Sequence, residues 1–176
     1  MRKILTGPVA VLAAIAAIVL STGSPAAAAV SGPWVMQPFT SRLCIHPTNY
    51  SSASNVVVEQ TYCSSGVDRD WDFHQIDANY YRISYRNGDK CFGVKSSSTA
   101  NSAKIITQAC GNPTLNDQWR PIKNFTSGSL DYYLLKNRHS GKCLNVQGNS
   151  TSAGADLIQY TCSTTANNEA FTWNTP

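Results

Sequence analysis

Six cysteines, three histidines and one dense acidic run are the residues of this 176-residue chain whose types could do chemistry. Cys44, Cys63, Cys91, Cys110, Cys143 and Cys162 include no close Cys-x-x-Cys pair, and His46, His74 and His139 are dispersed. The spacing of a structural zinc site is therefore missing, and no metal is expected. The run "DRDWD", Asp68 to Asp72, alternates carboxylates in a way that would suit calcium. It departs from the EF-hand loop, however, because Phe73 stands at the glycine position and Asn79 at that of the bidentate glutamate. A charged loop is the simpler reading. Serine and threonine are abundant, but no Gly-x-Ser-x-Gly elbow occurs. Glu59 and Glu169, with the aspartates, would make a glycosidase pair only if folding brought two of them across one cleft. Charged residues in such Gly/Ser-rich loops read as facing solvent. The expectation is a protein that is not an enzyme and uses no cofactor.

The elements that position these residues are set by repetition. Each consecutive cysteine pair is 19 residues apart, and the pairs start 47 and 52 residues apart. Three equal intervals point to an internal repeat. Other residues keep the same register. Trp34, Tyr81 and Tyr133 precede the first cysteine of each pair by ten positions, and Met36, Ile83 and Leu135 precede it by eight. Ile45, Phe92 and Leu144 follow it directly, and Trp71, Trp119 and Phe171 come eight or nine residues after the second cysteine. Aromatic and apolar residues that hold such intervals belong to a shared core. In the pairs Tyr80-Tyr81 and Tyr132-Tyr133 strand alternation sends one ring to each face, which makes Tyr132 a candidate border of a ligand surface. Segments such as "YYRISYR", "KCFGV", "AKIITQAC", "YYLLKN", "KCLNV" and "ADLIQYTC" are short, rich in Val, Ile, Tyr and Phe, and punctuated by Gly, Asn, Ser and Pro. Each copy offers about four strands, too few to bury a core alone. Three copies packed around a pseudo-threefold axis close a small barrel, and a disulfide within each copy fits that plan. Each bridge would contribute roughly 3 kcal/mol in the chain-entropy picture.

The N-terminus has a different character. Arg2 and Lys3 precede an uncharged apolar run from Ile4 to Leu20, and then comes "STGSPAAAAV". This is the order of a secretory signal peptide, with residues 1–29 removed and one domain spanning 30–176, its repeats near 34–79, 80–130 and 131–176. Export agrees with an even cysteine count and places the protein outside the cell. Loss of Arg2 and Lys3 lowers the formal charge from +4 to +2. No basic stripe suggests a nucleic acid, and nothing after residue 29 suggests a membrane partner.

With these residues assembled, the chain resembles the ricin-type β-trefoil lectins and carbohydrate-binding modules. The resemblance rests on the Cys-apolar-x-Val strands Cys91 to Val94 and Cys143 to Val146, the Gly154-Ala155 turn, the "QYTC" ending and the aromatic residue after each second cysteine. "NDQWRPI" from Asn116 approaches the family's Gln-x-Trp signature, although Gln118 directly precedes Trp119. It implies an all-β fold of three four-stranded repeats with one disulfide each: Cys44 with Cys63, Cys91 with Cys110, and Cys143 with Cys162. It also implies shallow sites for galactose- or xylose-containing glycans. In the family an acid two residues after the first cysteine accepts hydrogen bonds from sugar hydroxyls. An aromatic residue two before the second cysteine stacks on the ring, and a late asparagine beside a glutamine orients the hydroxyls.

Carried onto this chain, those roles fall on His46, Thr61 and Asp68 in the first copy and on Gly93, Gln108 and Asn116 in the second. In the third they fall on Asn145, Tyr160 and Asn168. The glutamine position becomes Arg69, Asp117 and Glu169. Only the third copy keeps a usable set, with an amide in place of the acid. Asn145 serves equally as a sugar ligand or as a brace for the turn into "VQGNS". Tyr160 is either a sugar platform or packing beside its disulfide, and Asn168 reads by default as a solvated loop residue. The expected function is secreted, lectin-like carbohydrate binding with the third repeat as the site. The alternative is a trefoil that has lost sugar binding and recognises a protein.

Overall fold

The computed structural model describes residues 30–63, 70–85 and 89–174. The proposed signal segment and Asp68 and Arg69 of the first repeat lie outside them. Among the described residues twelve strands follow one another, four to a repeat. They are β1 (Val30–Pro38), β2 (Cys44–Pro47), β3 (Val58–Thr61) and β4 (Asp70–Gln75). The second set is β5 (Tyr81–Tyr85), β6 (Lys90–Val94), β7 (Ile105–Ala109) and β8 (Gln118–Ser127). The third is β9 (Leu130–Asn137), β10 (Cys143–Val146), β11 (Ala155–Tyr160) and β12 (Phe171–Asn174).

The outer strands of each repeat pair in a closed ring: β1 with β4, β4 with β5, β5 with β8, β8 with β9, β9 with β12, and β12 with β1. A closed ring leaves no sheet edge to template another chain. The inner hairpins β2–β3, β6–β7 and β10–β11 cap one end. They touch each other in turn through Val57↔Ile106, Lys104↔Ile158 and Ala155↔Gln60. This is a β-trefoil, and its disulfides join Cys44 to Cys63, Cys91 to Cys110 and Cys143 to Cys162, one in each repeat.

The core repeats as the register requires. Met36, Ile83 and Leu135 are fully buried, as are Ile45, Phe92 and Leu144, and Trp71, Trp119 and Phe171. A further triplet, Val58, Ile105 and Leu157, lies five residues before each second cysteine and is equally buried. The indole N–H of Trp71 donates to the Ile45 carbonyl and that of Trp119 to the Phe92 carbonyl, each at 2.9 Å. Trp34, Tyr81 and Tyr133 pack partly buried at the edge of this core. Tyr132 departs from expectation. It is fully buried, its ring packed between Phe39 and Phe125 at centroid distances of 5.0 and 5.1 Å, so it borders no ligand surface.

Three buried polar residues, each three positions before a second cysteine, tie the repeats together. Gln60 donates from Nε2 to the carbonyls of Ser150 and Ser152 in the third repeat, at 3.0 and 2.8 Å. Gln159 donates to Ser98 and Ala100 in the second, both at 2.8 Å. Thr107 donates from Oγ1 to Ala53 of the first at 2.7 Å. Each repeat therefore holds the hairpin loop of another, in a closed cycle.

Candidate functional site

In the third repeat β10 and β11 pair with Cys143 opposite Tyr160 and Asn145 opposite Ile158. Residues directly opposite in an antiparallel ladder project to the same face, and alternation sends their neighbours to the other. Leu144, Val146 and Leu157 therefore enter the core, while Asn145, Ile158 and Tyr160 share the outer face. The turn Asn167–Glu169 folds over that face. Asn168 Nδ2 donates to Asn145 Oδ1 at 3.0 Å and to the Val146 carbonyl at 2.9 Å. Asn145 Nδ2 donates to Glu169 Oε1 at 3.0 Å, and Ser163 N–H donates to Glu169 Oε2 at 2.7 Å.

These contacts revise three expectations. Asn145 lies within a strand and bonds two side chains, so it is not a turn brace. Asn168 is tied into the site and is not a solvated loop residue. Glu169 is 1% exposed rather than solvent-facing. Burial pushes its carboxyl above the usual glutamate range, against the opposing effects of the Ser163 N–H and the Asn145 amide. Tyr160 is 44% exposed, so its ring is available.

Asn145, Tyr160, Asn168 and Glu169 border one shallow cavity of about 500 Å³, floored by Ile158 and rimmed by Gly148. Asn145 retains one N–H and one lone pair beyond its internal bonds. The cavity thus offers an aromatic face, amide groups and one carboxylate, and among the described residues no lysine or arginine lines it. Such a surface matches a neutral polyhydroxylated ring, which presents apolar C–H faces and a hydroxyl rim.

The equivalent place in the second repeat is filled. A Cβ built on Gly93 would fall 2.4 Å from the Gln108 side chain. Gln108 lies over the glycine and exchanges hydrogen bonds with Asn116, Nε2 to Oδ1 at 3.0 Å and Nδ2 to Oε1 at 3.2 Å. Asn116 also donates to the Val94 carbonyl at 2.7 Å, as Asn168 does to Val146. In the first repeat His46 is buried, stacks on Tyr50 at 4.6 Å and sets Nε2 3.4 Å from Glu59 Oε1. Thr61 supplies no platform there, and Asp68 lies outside the described residues.

A family model described as ricin-type beta-trefoil lectin domain-like matches residues 27–108 and 115–176. No curated protein matches the chain. Among solved structures, the designed threefold-symmetric protein ThreeFoil is 30% identical with a TM-score of 0.74, over 81% of this chain and 98% of its own. The exo-beta-1,3-galactanase 1,3Gal43A of Clostridium thermocellum is 18% identical with a TM-score of 0.73. The match covers 82% of this chain but 30% of the galactanase. The C-half of an earthworm R-type lectin, solved in complex with GalNAc, is 12% identical with a TM-score of 0.58, over 81% of this chain and all of that one.

Proposed function

Because the chain belongs to the ricin-type β-trefoil lectin-like family, we propose that it is a secreted, non-catalytic carbohydrate-binding protein whose site is the third-repeat cavity. The observation that carries this reading is the meeting of the exposed Tyr160 ring with the Asn168–Asn145–Glu169 hydrogen-bond chain at one open cavity. Tyr160 stacks on the apolar face of a sugar, and the remaining donor and acceptor of Asn145 take hydroxyls. With a carboxylate in the wall and no lysine or arginine there among the described residues, the ligand is a neutral sugar, with galactose- and xylose-containing glycans the first candidates.

Titration of the protein lacking residues 1–29 against neutral galactosides, xylans and mannans tests the proposal. Tyr160→Ala and Asn145→Ala should each weaken binding roughly two- to tenfold while the fold, read by circular dichroism, is unchanged. Stacking on an aromatic ring beyond its area burial is worth roughly 0.5–1.5 kcal/mol, and a lost hydrogen bond about as much again. Affinity that ignores both substitutions would remove the site from the third repeat. Export is read separately, from the mass of the mature protein in the medium. The filling of the second site by Gln108, and the replacement of the acid and the platform by His46 and Thr61 in the first, favour a second reading, recognition of a protein. A stoichiometric polypeptide co-purifying with a protein that answers no glycan would select it.

A further inference from the structure

A second cavity, of about 360 Å³, opens against the Cys91–Cys110 disulfide. Its walls come from β4 and β5. Pairing sets His74 opposite Arg82, and Ser84 lies opposite Cys91 of β6. Phe73, Ile83 and Tyr85 alternate with these residues and are buried in the core. His74, Arg82, Ser84 and Cys91 therefore share the outward face of the sheet. None of them occupies a position to which the family resemblance assigns a sugar contact.

The polar groups of this face are prearranged. His74 Nε2 and Ser84 Oγ are 2.6 Å apart. If the hydroxyl donates, the imidazole keeps an N–H at Nδ1; if Nε2–H donates, the hydroxyl keeps its proton. Either tautomer leaves the pair one donor to give. Arg82 donates from Nε to Asp117 Oδ2 at 3.2 Å, and its two terminal amino groups have no partner among the described residues. A carboxylate free to choose takes the guanidinium through two parallel hydrogen bonds. Asp117 makes only one: its Oδ2 also accepts the Gly111 and Asn112 N–H groups at 2.7 and 3.2 Å, while its Oδ1 is buried without a hydrogen-bond partner among the described residues. Arg82 is thus fixed by its inner edge while its outer edge stays open. Among the described residues the one acid lining the cavity, Asp89, is exposed to solvent.

We propose that this cavity is an oxyanion seat. A carboxylate, sulfate or phosphate, carried on an acidic sugar or free in solution, binds the outer edge of Arg82 and takes its next hydrogen bond from the His74–Ser84 pair. The planar guanidinium fork matches the geometry of such groups, and the volume lies at the small end of the roughly 300–1,000 Å³ usual for ligand sites. The ligand is a single acidic group, not a long segment of polymer. This inference is independent of the third-repeat reading, whose cavity takes a neutral sugar.

The test titrates the disulfide-bonded protein with oligogalacturonate, a neutral galacto-oligosaccharide and inorganic sulfate, by calorimetry and by NMR of the His74 ring. The uronate should shift the His74 resonances, and its affinity should fall at least tenfold in both Arg82→Gln and His74→Gln. Arg82→Lys, which keeps the charge beside buried Asp117 but loses the fork, should be intermediate and covers the case in which Arg82→Gln fails to fold. A clear preference for uronate over sulfate assigns the seat to an acidic glycan; equal affinities assign it to a free oxyanion. The proposal is overturned if no anion moves the His74 ring, or if Arg82→Lys and His74→Gln bind as well as the parent. Loss of neutral-sugar binding in Tyr160→Ala reads the other site, so each reading can fail alone.

Discussion

At the scale of single residues, the third site is the family's polar pair with its two members exchanged. The resemblance puts an acid at position 145 and a glutamine at 169; this chain has Asn145 and Glu169, and they still share a hydrogen bond. Each single reversion breaks the pattern of donors and acceptors. Asn145→Asp sets two carboxylates against each other, and Glu169→Gln turns one N–H toward another. The double substitution satisfies every group. The carboxylate introduced at position 145 would accept from Asn168 and from the new amide at position 169, whose oxygen in turn accepts from the Ser163 N–H. A double-mutant cycle on unfolding free energy should show favourable coupling of about 1–3 kcal/mol. The same cycle has a pH signature. Burial raises the carboxyl of Glu169 in the folded state, so the native protein holds a proton that the unfolded chain releases near the ordinary value of 4.5. Stability is full below that value and declines as pH rises through the raised one. Denaturant melts across this window should show the decline in the parent and its loss in the double variant. Position 169 was legible in the sequence as a departure from the family, but its burial was not. Nothing local to "NNEAF" shows that the turn folds back over β10.

At the scale of elements, the cysteine intervals and the apolar triplets made the strands and their assembly readable. What stayed hidden depends on contacts between strands distant in sequence. Tyr132 and Tyr133 alternate as expected, but Phe39 and Phe125 cover the face that would otherwise be open. Gln60, Thr107 and Gln159 are another instance. Two glutamines and a threonine look like ordinary polar positions on short strands, and they are buried only because each enters a neighbouring repeat. Gln159→Ala strands the carbonyls of Ser98 and Ala100. An unmet buried polar group costs about 1–3 kcal/mol, so the melting temperature should drop by several degrees. Calorimetry checks this, with Thr107→Val, which gives up one principal donor contact, expected to cost less. Equal tolerance of both would mean that water replaces the lost partners.

At the scale of the whole molecule, three copies of one unit have taken three chemical courses on a shared barrel. The second copy closes its sugar position with Gln108, the first stacks a buried His46 on Tyr50 there, and the third leaves it open. A neutral glycan should bind one to one, and the protein should not cross-link beads coated with that glycan. Agglutination by the monomer would show that a position in the first or second copy also binds. The sequence made the loss of the first two sites readable through the identities at positions 46, 61, 93 and 108. It did not reveal that the space in the second copy is occupied from within, since that requires knowing where Gln108 lies.

The cycle of Gln60, Gln159 and Thr107 bears on how this molecule comes apart. A repeat that leaves the barrel lets go of one neighbouring loop and has its own loop pulled from another, so every departure loosens both remaining units. Half-assembled states with two repeats intact have no special stability to rest in. Unfolding then proceeds as a single cooperative event, and the threefold unit that is easiest to see in the sequence is not a unit of stability.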